Sequence, residues 1–310
     1  MRVKLITYDD MVGCLSWTEA VEALRAGHRR PKAQVADMFL GPADATLLSR
    51  GAFIDGLGYG VKSVTVFDRN PTYGLPAIQG AMFVFEPRHG RLDAIIDGRL
   101  VTEFKTAADS VLGACFLARP ASAHLLVVGA GTVARSLVKA YSALFPGLER
   151  ASIWARRVEQ AAALAREFAA EPFPVVAVAD LATAAAEADI IASATMAREP
   201  VLRGAWIRPG THVDLIGAYK ADMREADDAL IAGGSLFVDS RETTIDHIGE
   251  LTIPIASGVI AADAVKGDLY DLVQGRTAGR RSDSEITLYK NGGGAHLDLM
   301  IARYITEKAA

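Results

Sequence analysis

The clearest chemistry in the sequence lies in a short segment that reads Gly129-Ala130-Gly131-Thr132-Val133-Ala134. An apolar run at residues 125–128, typical of a strand buried on both faces, precedes it, and an apolar helical pattern follows it. In such a turn Gly129 permits the tight bend, Gly131 lets the backbone approach a pyrophosphate, and Ala134 allows the helix to pack closely. The amino end of that helix supplies N–H donors to phosphates. The segment predicts a dinucleotide-binding site; the alternative is a glycine turn in a protein that has lost its cofactor.

Two arginines, Arg156 and Arg157, follow the next predicted strand at residues 152–154. A carboxylate at this position would bond the ribose 2′-hydroxyl of NAD, whereas guanidinium groups can pair with the 2′-phosphate of NADP. The sequence has no acid there and favours NADP(H) as the cofactor, with NAD(H) as the second choice. The alternative is that both arginines are solvated at the start of the next helix.

Small hydroxyl side chains follow the fourth strand of the same pattern, where the chain reads Ser193-Ala194-Thr195-Met196. Ligands of doubly wound sheets bind beyond the carboxyl ends of the strands. We therefore expect Ser193, Thr195 and Met196 to line the site of the nicotinamide ribose. A plain turn at the end of the strand is the alternative.

The composition excludes several classes of protein. The 310 residues are 51% hydrophobic and 23% charged, which is unlike a disordered chain, and the net charge of −4 gives no basic footprint for nucleic acid. The two cysteines build neither a disulfide framework nor a cysteine-rich zinc site, and no histidine or carboxylate pattern supports a catalytic metal. The sequence shows neither a signal-peptide core nor an apolar run of about 18 residues. We expect a cytoplasmic protein with no membrane or nucleic-acid partner.

The first third of the chain predicts an α+β domain. Ser16 and Glu19 have the spacing of a capping box, and the helical pattern that follows ends at Gly27. Short strand patterns separated by turn residues predict a largely antiparallel sheet. They cover residues 35–40, 61–67, 81–85 and 92–96.

A different pattern begins near Thr106 and predicts an α/β domain. A helix is expected over residues 106–117, and apolar strands then alternate with alanine-rich helices. The predicted strands cover residues 125–128, 152–154, 174–178, 190–193, 212–216 and 235–238. This alternation predicts a doubly wound parallel sheet. We expect irregular chain after Gly249 and a last helix over residues 295–305 that returns to the first domain.

Motifs spread over nearly the whole chain resemble those of the ornithine cyclodeaminase/μ-crystallin family. They lie at residues 60–62, 74–80, 97–98, 102–108, 129–134, 217–218, 223–225, 293–295 and 297–298. The resemblance implies an α/β fold with a Rossmann domain at residues 117–290. It also implies a substrate-binding and dimerisation domain made of residues 1–116 and 291–310, and hence a homodimer. The implied ligands are a nicotinamide cofactor and a small cyclic imino acid or its amino-acid relative.

Lys62, in Gly60-Val61-Lys62, matches the active-site lysine of that family. The chemistry of the residue agrees, because a cyclic imine-2-carboxylate carries an anionic carboxylate and a nitrogen that must gain a proton during reduction. A cation in a closed pocket can bind the carboxylate or protonate the nitrogen. The alternative is a surface lysine at a strand edge.

The expected substrate site departs from the family where an arginine normally clamps the substrate carboxylate. Lys105 occupies that position, and Lys32 falls near a second arginine of the family. Lysine keeps the charge but lacks the planar two-pronged fit of a guanidinium group. Gln79 and Thr106 complete the expected contacts with the substrate.

Tyr219 stands where the cyclodeaminases of the family carry an aspartate that binds the side-chain amine of ornithine. A phenol has no fixed negative charge at neutral pH, so a free amine would lack its counter-ion. This departure disfavours cyclodeamination and favours a substrate without that amine. We expect Lys62, Lys105 and Tyr219 to be the catalytic residues, and Asp298 mainly to anchor the last helix.

We therefore expect an NAD(P)H-dependent ketimine reductase that converts Δ1-pyrroline-2-carboxylate or Δ1-piperideine-2-carboxylate to L-proline or L-pipecolate. One alternative is a redox-neutral lyase of the same family, either an ornithine cyclodeaminase or a cis-3-hydroxyproline dehydratase. The other is a cofactor-dependent binding protein without turnover.

Overall fold

The computed structural model describes residues 3–309 of the 310-residue chain. Met1, Arg2 and Ala310, which the predicted domains include, lie outside the described residues. The chain divides into two units, Met1–Lys105 with Gly294–Ala310 and Thr106–Gly293. The units change over at 105/106 and 293/294, whereas the predicted domains change over at 116/117 and 290/291.

Strands and helices alternate differently in the two units. Within residues 3–309 the elements follow in the order β1 (Lys4–Ile6), α1 (Tyr8–Met11), α2 (Trp17–His28), β2 (Gln34–Leu40), β3 (Ala45–Ile54), β4 (Gly58–Phe67), β5 (Ile78–Phe85), β6 (Leu92–Asp97), α3 (Gly98–Leu117), β7 (His124–Val128), α4 (Thr132–Leu144), β8 (Arg150–Trp154), α5 (Val158–Arg166), β9 (Val175–Val178), α6 (Leu181–Glu187), β10 (Ile190–Ser193), β11 (His212–Leu215), α7 (Asp228–Gly233), β12 (Ser235–Val238), α8 (Arg241–Thr244), α9 (Gly249–Ala256), β13 (Val265–Asp268), α10 (Leu269–Val273), β14 (Thr287–Lys290) and α11 (Ala295–Lys308). Short 3-10 helices lie at Val12–Cys14, Asn70–Tyr73, Gly204–Trp206 and Ala262–Ala264.

The first unit contains a six-stranded sheet in the order β1-β6-β5-β4-β3-β2. Neighbouring strands are antiparallel, except that β1 is parallel to β6. The predicted antiparallel sheet is confirmed, but β3 was not predicted. That strand is half-buried along most of its length and contains Arg50 and Gly51, so it lacks the alternation of apolar and polar residues that marks a strand.

Helix α11 packs on α2 and on the sheet of the first unit. Its residues 295–306 are all buried, as expected of a helix enclosed on every side. A Cβ at Gly27 of α2 would lie 2.3 Å from Sδ of Met300, so the absence of a side chain allows the two helices to approach closely. Ser16 caps α2 as predicted, because its side chain accepts a hydrogen bond from the N–H of Glu19. The predicted return of the last helix to the first domain is confirmed.

The second unit contains eight parallel strands in the order β13-β12-β14-β11-β10-β7-β8-β9. Strands β7, β10, β11 and β12 are buried along their whole length, which explains the apolar runs of β7, β10 and β12; β11 also buries His212 and Asp214. From β7 the chain builds outward through β8 and β9 and then returns to β10 on the other side of β7. This reversal places the switch point of the sheet between β7 and β10, and the predicted doubly wound sheet is confirmed.

The expectation of irregular chain after Gly249 is wrong. This part contains α9, β13, α10 and β14, and β14 lies between β11 and β12. The strand β13 reads Val-Lys-Gly-Asp, so its pairing with β12, rather than its composition, makes it a strand. Helix α3 also begins eight residues earlier than predicted, at Gly98, where the carboxylate of Asp97 accepts a hydrogen bond from the N–H of Arg99.

Candidate active site

The predicted catalytic lysine lies in the first unit, on the buried face of β4. Lys62 alternates with the buried residues Gly60 and Val64, so the pleat of the strand directs its side chain inward. Its Nζ lies 2.7 Å from Oδ1 of Asp298, which is in the first turn of α11. The exposed fractions of the two side chains are 6% and 1%. The fold therefore encloses an ion pair between residues 236 positions apart in the chain.

Three cationic side chains act on the carboxylate of Asp298. Burial raises the pKa of Asp298, but the charges of Lys62, Lys105 and Arg50 together lower it by more. The pKa of Asp298 therefore lies below its usual value. Asp298 is thus ionised at neutral pH and supplies the counter-ion that a buried ammonium group requires. Arg50 of β3 lies directly opposite Lys62 of β4 in the strand register. Its guanidinium group binds the carboxylate of Asp37 at 2.6 Å. We call these five residues the Lys62 cluster.

The ion pair gives Asp298 a contact that the sequence did not reveal. Asp298 was expected mainly to anchor the last helix, but its carboxylate binds Lys62. Its other oxygen, Oδ2, is buried and has no hydrogen-bond partner among the described residues. The Leu297-Asp298 motif of the family resemblance was the only feature of the sequence that drew attention to Asp298. A motif does not identify the residue that its side chain contacts.

Two of the predicted substrate-binding residues, Gln79 and Lys32, are exposed, unlike this buried pair. Gln79 pairs with Thr65 across β4 and β5, three residues along β4 from Lys62. Because side chains alternate between faces, Gln79 and Lys62 lie on opposite faces of the sheet, and Gln79 is exposed. Lys32 is exposed in the turn between α2 and β2. Of the predicted residues in this unit, the structure brings Lys62 and Lys105 together, and their substrate contacts stay predictions.

The glycine turn of the second unit follows β7 at the switch point of the sheet. Gly129 has a φ of +128°, and a Cβ there would lie 2.7 Å from the carbonyl oxygen of Ala194, so this position requires glycine. Gly131 is the N-cap of α4, and no side chain caps the helix at that residue. A Cβ at Gly131 would meet nothing within 4 Å, which leaves room beside the first N–H groups of α4. This space and these donors fit the phosphates of a dinucleotide. The first turn of α4 is formed by Thr132, Val133 and Ala134.

The two arginines beyond β8 lie where a second ligand contact was predicted. Arg156 and Arg157 are both exposed, and Arg157 is the N-cap of α5. The indole Nε1 of Trp154, the last residue of β8, donates to the carbonyl oxygen of Ala179 at 3.1 Å. The end of β8 is therefore hydrogen-bonded to the segment that follows β9. The guanidinium groups of Arg156 and Arg157 beyond β8 face water.

The hydroxyl groups that follow β10 are bound by a residue whose role was not predicted, Glu225. The hydroxyls of Ser193 and Thr195 each donate to Oε1 of Glu225 at 2.7 Å. The hydroxyl hydrogens and the N–H of Thr195 are thus engaged, and the hydroxyl oxygens are what these residues can offer a ligand. Burial raises the pKa of Glu225, and the charge of Lys290 partly offsets that effect. Met196, the third residue predicted here, is 73% exposed.

The last predicted site residues of the second unit have different surroundings. Tyr219 is 49% exposed in the loop after β11, and its ring centroid lies 5.6 Å from Nζ of Lys220. Thr106 is half-buried on α3, and its carbonyl oxygen accepts a hydrogen bond from Nδ2 of Asn291 at 3.0 Å. A catalytic role for Tyr219 and a substrate contact for Thr106 stay predictions.

A doubly wound parallel sheet with a glycine turn at its switch point defines a Rossmann-type dinucleotide-binding protein. Within residues 3–309 no helix is long and apolar enough to cross a membrane, and no three histidine, cysteine or acidic side chains are grouped to hold a metal ion. The sequence profile of the ornithine cyclodeaminase/mu-crystallin family matches residues 52–310. The chain belongs to this family.

Individual relatives match over nearly the full chain. A Delta(1)-pyrroline-2-carboxylate reductase of Paracoccus denitrificans (strain Pd 1222) is 63% identical over 307 residues, which cover 99% of this chain and 97% of the relative. The structure of Thermococcus litoralis Delta(1)-pyrroline-2-carboxylate reductase in complex with NADH and L-proline has a TM-score of 0.93 at 28% identity, over 99% of this chain and 97% of that one. An archaeal alanine dehydrogenase dimer with bound NAD has a TM-score of 0.93 at 26% identity, over 100% and 96% of the two chains.

Proposed function

We propose that the chain is an NAD(P)H-dependent ketimine reductase that converts Δ1-pyrroline-2-carboxylate or Δ1-piperideine-2-carboxylate to L-proline or L-pipecolate. The buried pair of Lys62 and Asp298 carries the proposal, because it keeps an ammonium group out of water beside a carboxylate on which Lys105 and Arg50 also act. The 63% identity to a Delta(1)-pyrroline-2-carboxylate reductase makes the five-membered ring the first substrate to test.

Lys62 and Lys105 bind the carboxylate of the imino acid in this proposal. The ammonium group of Lys62 has three N–H donors, and its one hydrogen bond within the described residues goes to Asp298. The other donors are available to an anionic ligand. Lysine acts as a point charge and leaves the plane of the bound carboxylate less restricted than arginine would.

Lys62, or a water molecule that it binds, also supplies the proton. Reduction of a C=N bond adds a hydride to carbon and a proton to nitrogen. After Lys62 has given up a proton, the ionised carboxylate of Asp298 at 2.7 Å favours return of a proton to Nζ. Asp298 is thus a positioning residue that orients Lys62 and restores its charge.

A nicotinamide cofactor supplies the hydride when it is bound. Residues 129–131 and the first turn of α4 bind its pyrophosphate, because the turn offers open space and N–H donors. Ser193, Thr195 and Met196 line its nicotinamide ribose. The second unit therefore orients the cofactor, and the first unit binds the charged substrate.

We further propose NADP(H) as the preferred cofactor. Arg156 and Arg157 are exposed immediately beyond β8, where two guanidinium groups can bind a 2′-phosphate. NAD(H) is the second choice, and the two solved relatives described above contain NADH and NAD.

We also propose that the protein is a homodimer formed through the first unit. The edge strand β2 is exposed along its whole length, and its apolar residues Met38, Phe39 and Leu40 are 47%, 65% and 54% exposed. An exposed apolar edge strand is a template for pairing with another chain. The solved alanine dehydrogenase relative is a dimer. The cytoplasmic location stays a prediction from the sequence.

Oxidation of NADPH and NADH, followed at 340 nm with five- and six-membered cyclic imino acids, tests the reaction. A reductase consumes one reduced cofactor per product, and Lys62→Met is expected to lower kcat/KM about 100-fold or more while NADPH binding is retained. Near-normal turnover by that variant would remove Lys62 from the mechanism. Ornithine and 3-hydroxyproline are the control substrates: their turnover without net absorbance change would establish a lyase. Cofactor binding without turnover of any substrate would establish a binding protein.

A further inference from the structure

A buried carboxylate in the second unit joins the loops that follow two neighbouring strands. Oε1 of Glu225 accepts hydrogen bonds from the hydroxyls of Ser193 and Thr195 and from the N–H of Thr195, each at 2.7 Å. Oε2 accepts from the N–H groups of Gly217 and Ala218 at 2.6 and 3.4 Å. We call these contacts the Glu225 clamp. One side chain thus holds the chain beyond β10 to the chain beyond β11.

The clamped loops border the glycine turn. A Cβ at Gly129 would lie 2.7 Å from the carbonyl oxygen of Ala194, and a Cβ at Gly217 would lie 1.8 Å from that of Thr195. The loop after β10 therefore contacts both the loop after β7 and the loop after β11. Neither Gly129 nor Gly217 leaves space for a side chain. In a doubly wound sheet this edge, beside the switch point, receives the ligand.

A second carboxylate fixes the position of Glu225. Glu250, in the first turn of α9, accepts hydrogen bonds from the N–H groups of Glu225 and Ala226 at 2.8 and 2.9 Å. Lys290 is fully buried, and its charge offsets part of the effect of burial on the pKa of both glutamates. Its Nζ donates to the carbonyl oxygen of Leu215, the last residue of β11, at 2.8 Å. These contacts fix the backbone at Glu225 and the end of β11.

We propose that Glu225 is a positioning residue for hydride transfer, because its carboxylate sets the positions of the two loops that hold the nicotinamide half of the cofactor. This inference rests on the proposed reductase function. Glu225 acts through Thr195 and Gly217 and touches no reacting atom. Small displacements of a bound reactant lower the rate of transfer more than they lower affinity, since affinity is distributed over the whole dinucleotide.

The substitution Glu225→Gln tests this role with almost no change in volume. The amide NH₂ replaces one of the two acceptor oxygens. Hydroxyl groups can rotate and accept from it, but the N–H groups of Thr195 and Gly217 can only donate. Whichever way the amide turns, at least one backbone N–H loses its acceptor.

Three measurements compare Glu225→Gln with the wild type. Amide hydrogen exchange at Thr195 and Gly217 in the cofactor-free protein is expected to accelerate about tenfold or more at one of the two residues. The emission of bound NADH is expected to shift, because the nicotinamide environment changes. In cyclic imine reduction, kcat is expected to fall about 10- to 100-fold while the Kd for NADH rises less than about threefold.

Glu187→Gln is the matched control. It neutralises an exposed glutamate at the end of α6 that pairs with Arg150 at 2.9 Å, and it is expected to leave all three measurements unchanged. Ser193→Ala removes one hydrogen-bond donor from the Glu225 clamp. This variant replaces Glu225→Gln in the test if Glu225→Gln does not fold. Its kcat is expected to fall about three- to tenfold, while the Kd for NADH rises less than about threefold.

A folded Glu225→Gln protein with unchanged exchange, or with kcat within twofold of the wild type, would overturn the proposal. An equal loss of kcat and of NADH affinity would also overturn it, since Glu225 would then serve binding in general. A wild-type protein that binds NADH but reduces no cyclic imine would refute the proposed function alone. Amide exchange and NADH emission would still decide whether the clamp positions the nicotinamide.

Discussion

The substitution Asp298→Asn is expected to destabilise the protein, because it removes only the negative partner of a buried ion pair. Nζ of Lys62 and Oδ1 of Asp298 are 2.7 Å apart, and with exposed fractions of 6% and 1% they are little screened by solvent. At an effective dielectric constant of about 20, unit charges at this distance attract by about 6 kcal/mol before the cost of desolvation. Loss of one partner from a buried pair costs about 3–5 kcal/mol. We therefore expect the free energy of unfolding to fall by about 3 kcal/mol or more.

The double variant Lys62→Met/Asp298→Asn provides the matched control. It removes both buried charges, and replacement of a whole buried pair is close to neutral in many proteins. We expect the double variant to be more stable than Asp298→Asn alone. Urea unfolding of the wild type, both single variants and the double variant measures the coupling between the two residues.

Two results would refute this reasoning. One is a free energy of unfolding for Asp298→Asn within about 1 kcal/mol of the wild type, which would mean that the ammonium group of Lys62 does not need its counter-ion. The other is a double variant whose loss equals the sum of the two single losses, because additivity means that the residues are not coupled.

Three further predictions concern the cofactor, the assembly and pH. Arg156→Ala combined with Arg157→Ala is expected to lower the ratio of kcat/KM for NADPH over NADH about tenfold or more; an unchanged ratio would leave the arginines without a role in cofactor choice. Phe39→Glu is expected to convert a dimer to monomers in light scattering, and an intact dimer would place the interface elsewhere. Burial and the charge of Arg280 lower the pKa of His212 from 6.5 to about 3, so the neutral ring stabilises the fold above pH 6.5 and that stability is lost as the pH falls toward 3. Urea unfolding from pH 7 to 4 should therefore show a loss, up to about 1.4 kcal/mol per pH unit, that is absent from His212→Asn.

Features encoded by neighbouring residues could be predicted from the sequence. The glycine turn is one, because Gly129 and Gly131 act on their own backbone and the buried strand β7 directly precedes them. The alternation of strands and helices up to β12 is another, since most of the buried strands are largely apolar runs.

Features that depend on distant parts of the chain could not be predicted. Strands β3 and β13 have weak strand patterns and are fixed by hydrogen bonds to their neighbours. Asp298 meets Lys62 across 236 positions, and the spacing of their motifs gives no hint of a contact. Glu225 accepts hydrogen bonds from one loop 30–32 residues earlier in the chain and from another 7–8 residues earlier. Only the three-dimensional structure shows that both loops meet at one side chain.

The origin of α11 at the far end of the chain has a consequence for biosynthesis. A ribosome releases β4 and then every residue of the second unit before it makes the helix that covers the N-terminal sheet. Until then the nascent sheet presents an apolar surface and a lysine without its counter-ion, so this part of the polypeptide matures last although it is made first. Chaperones that protect apolar surfaces should therefore be needed longest by the amino-terminal residues.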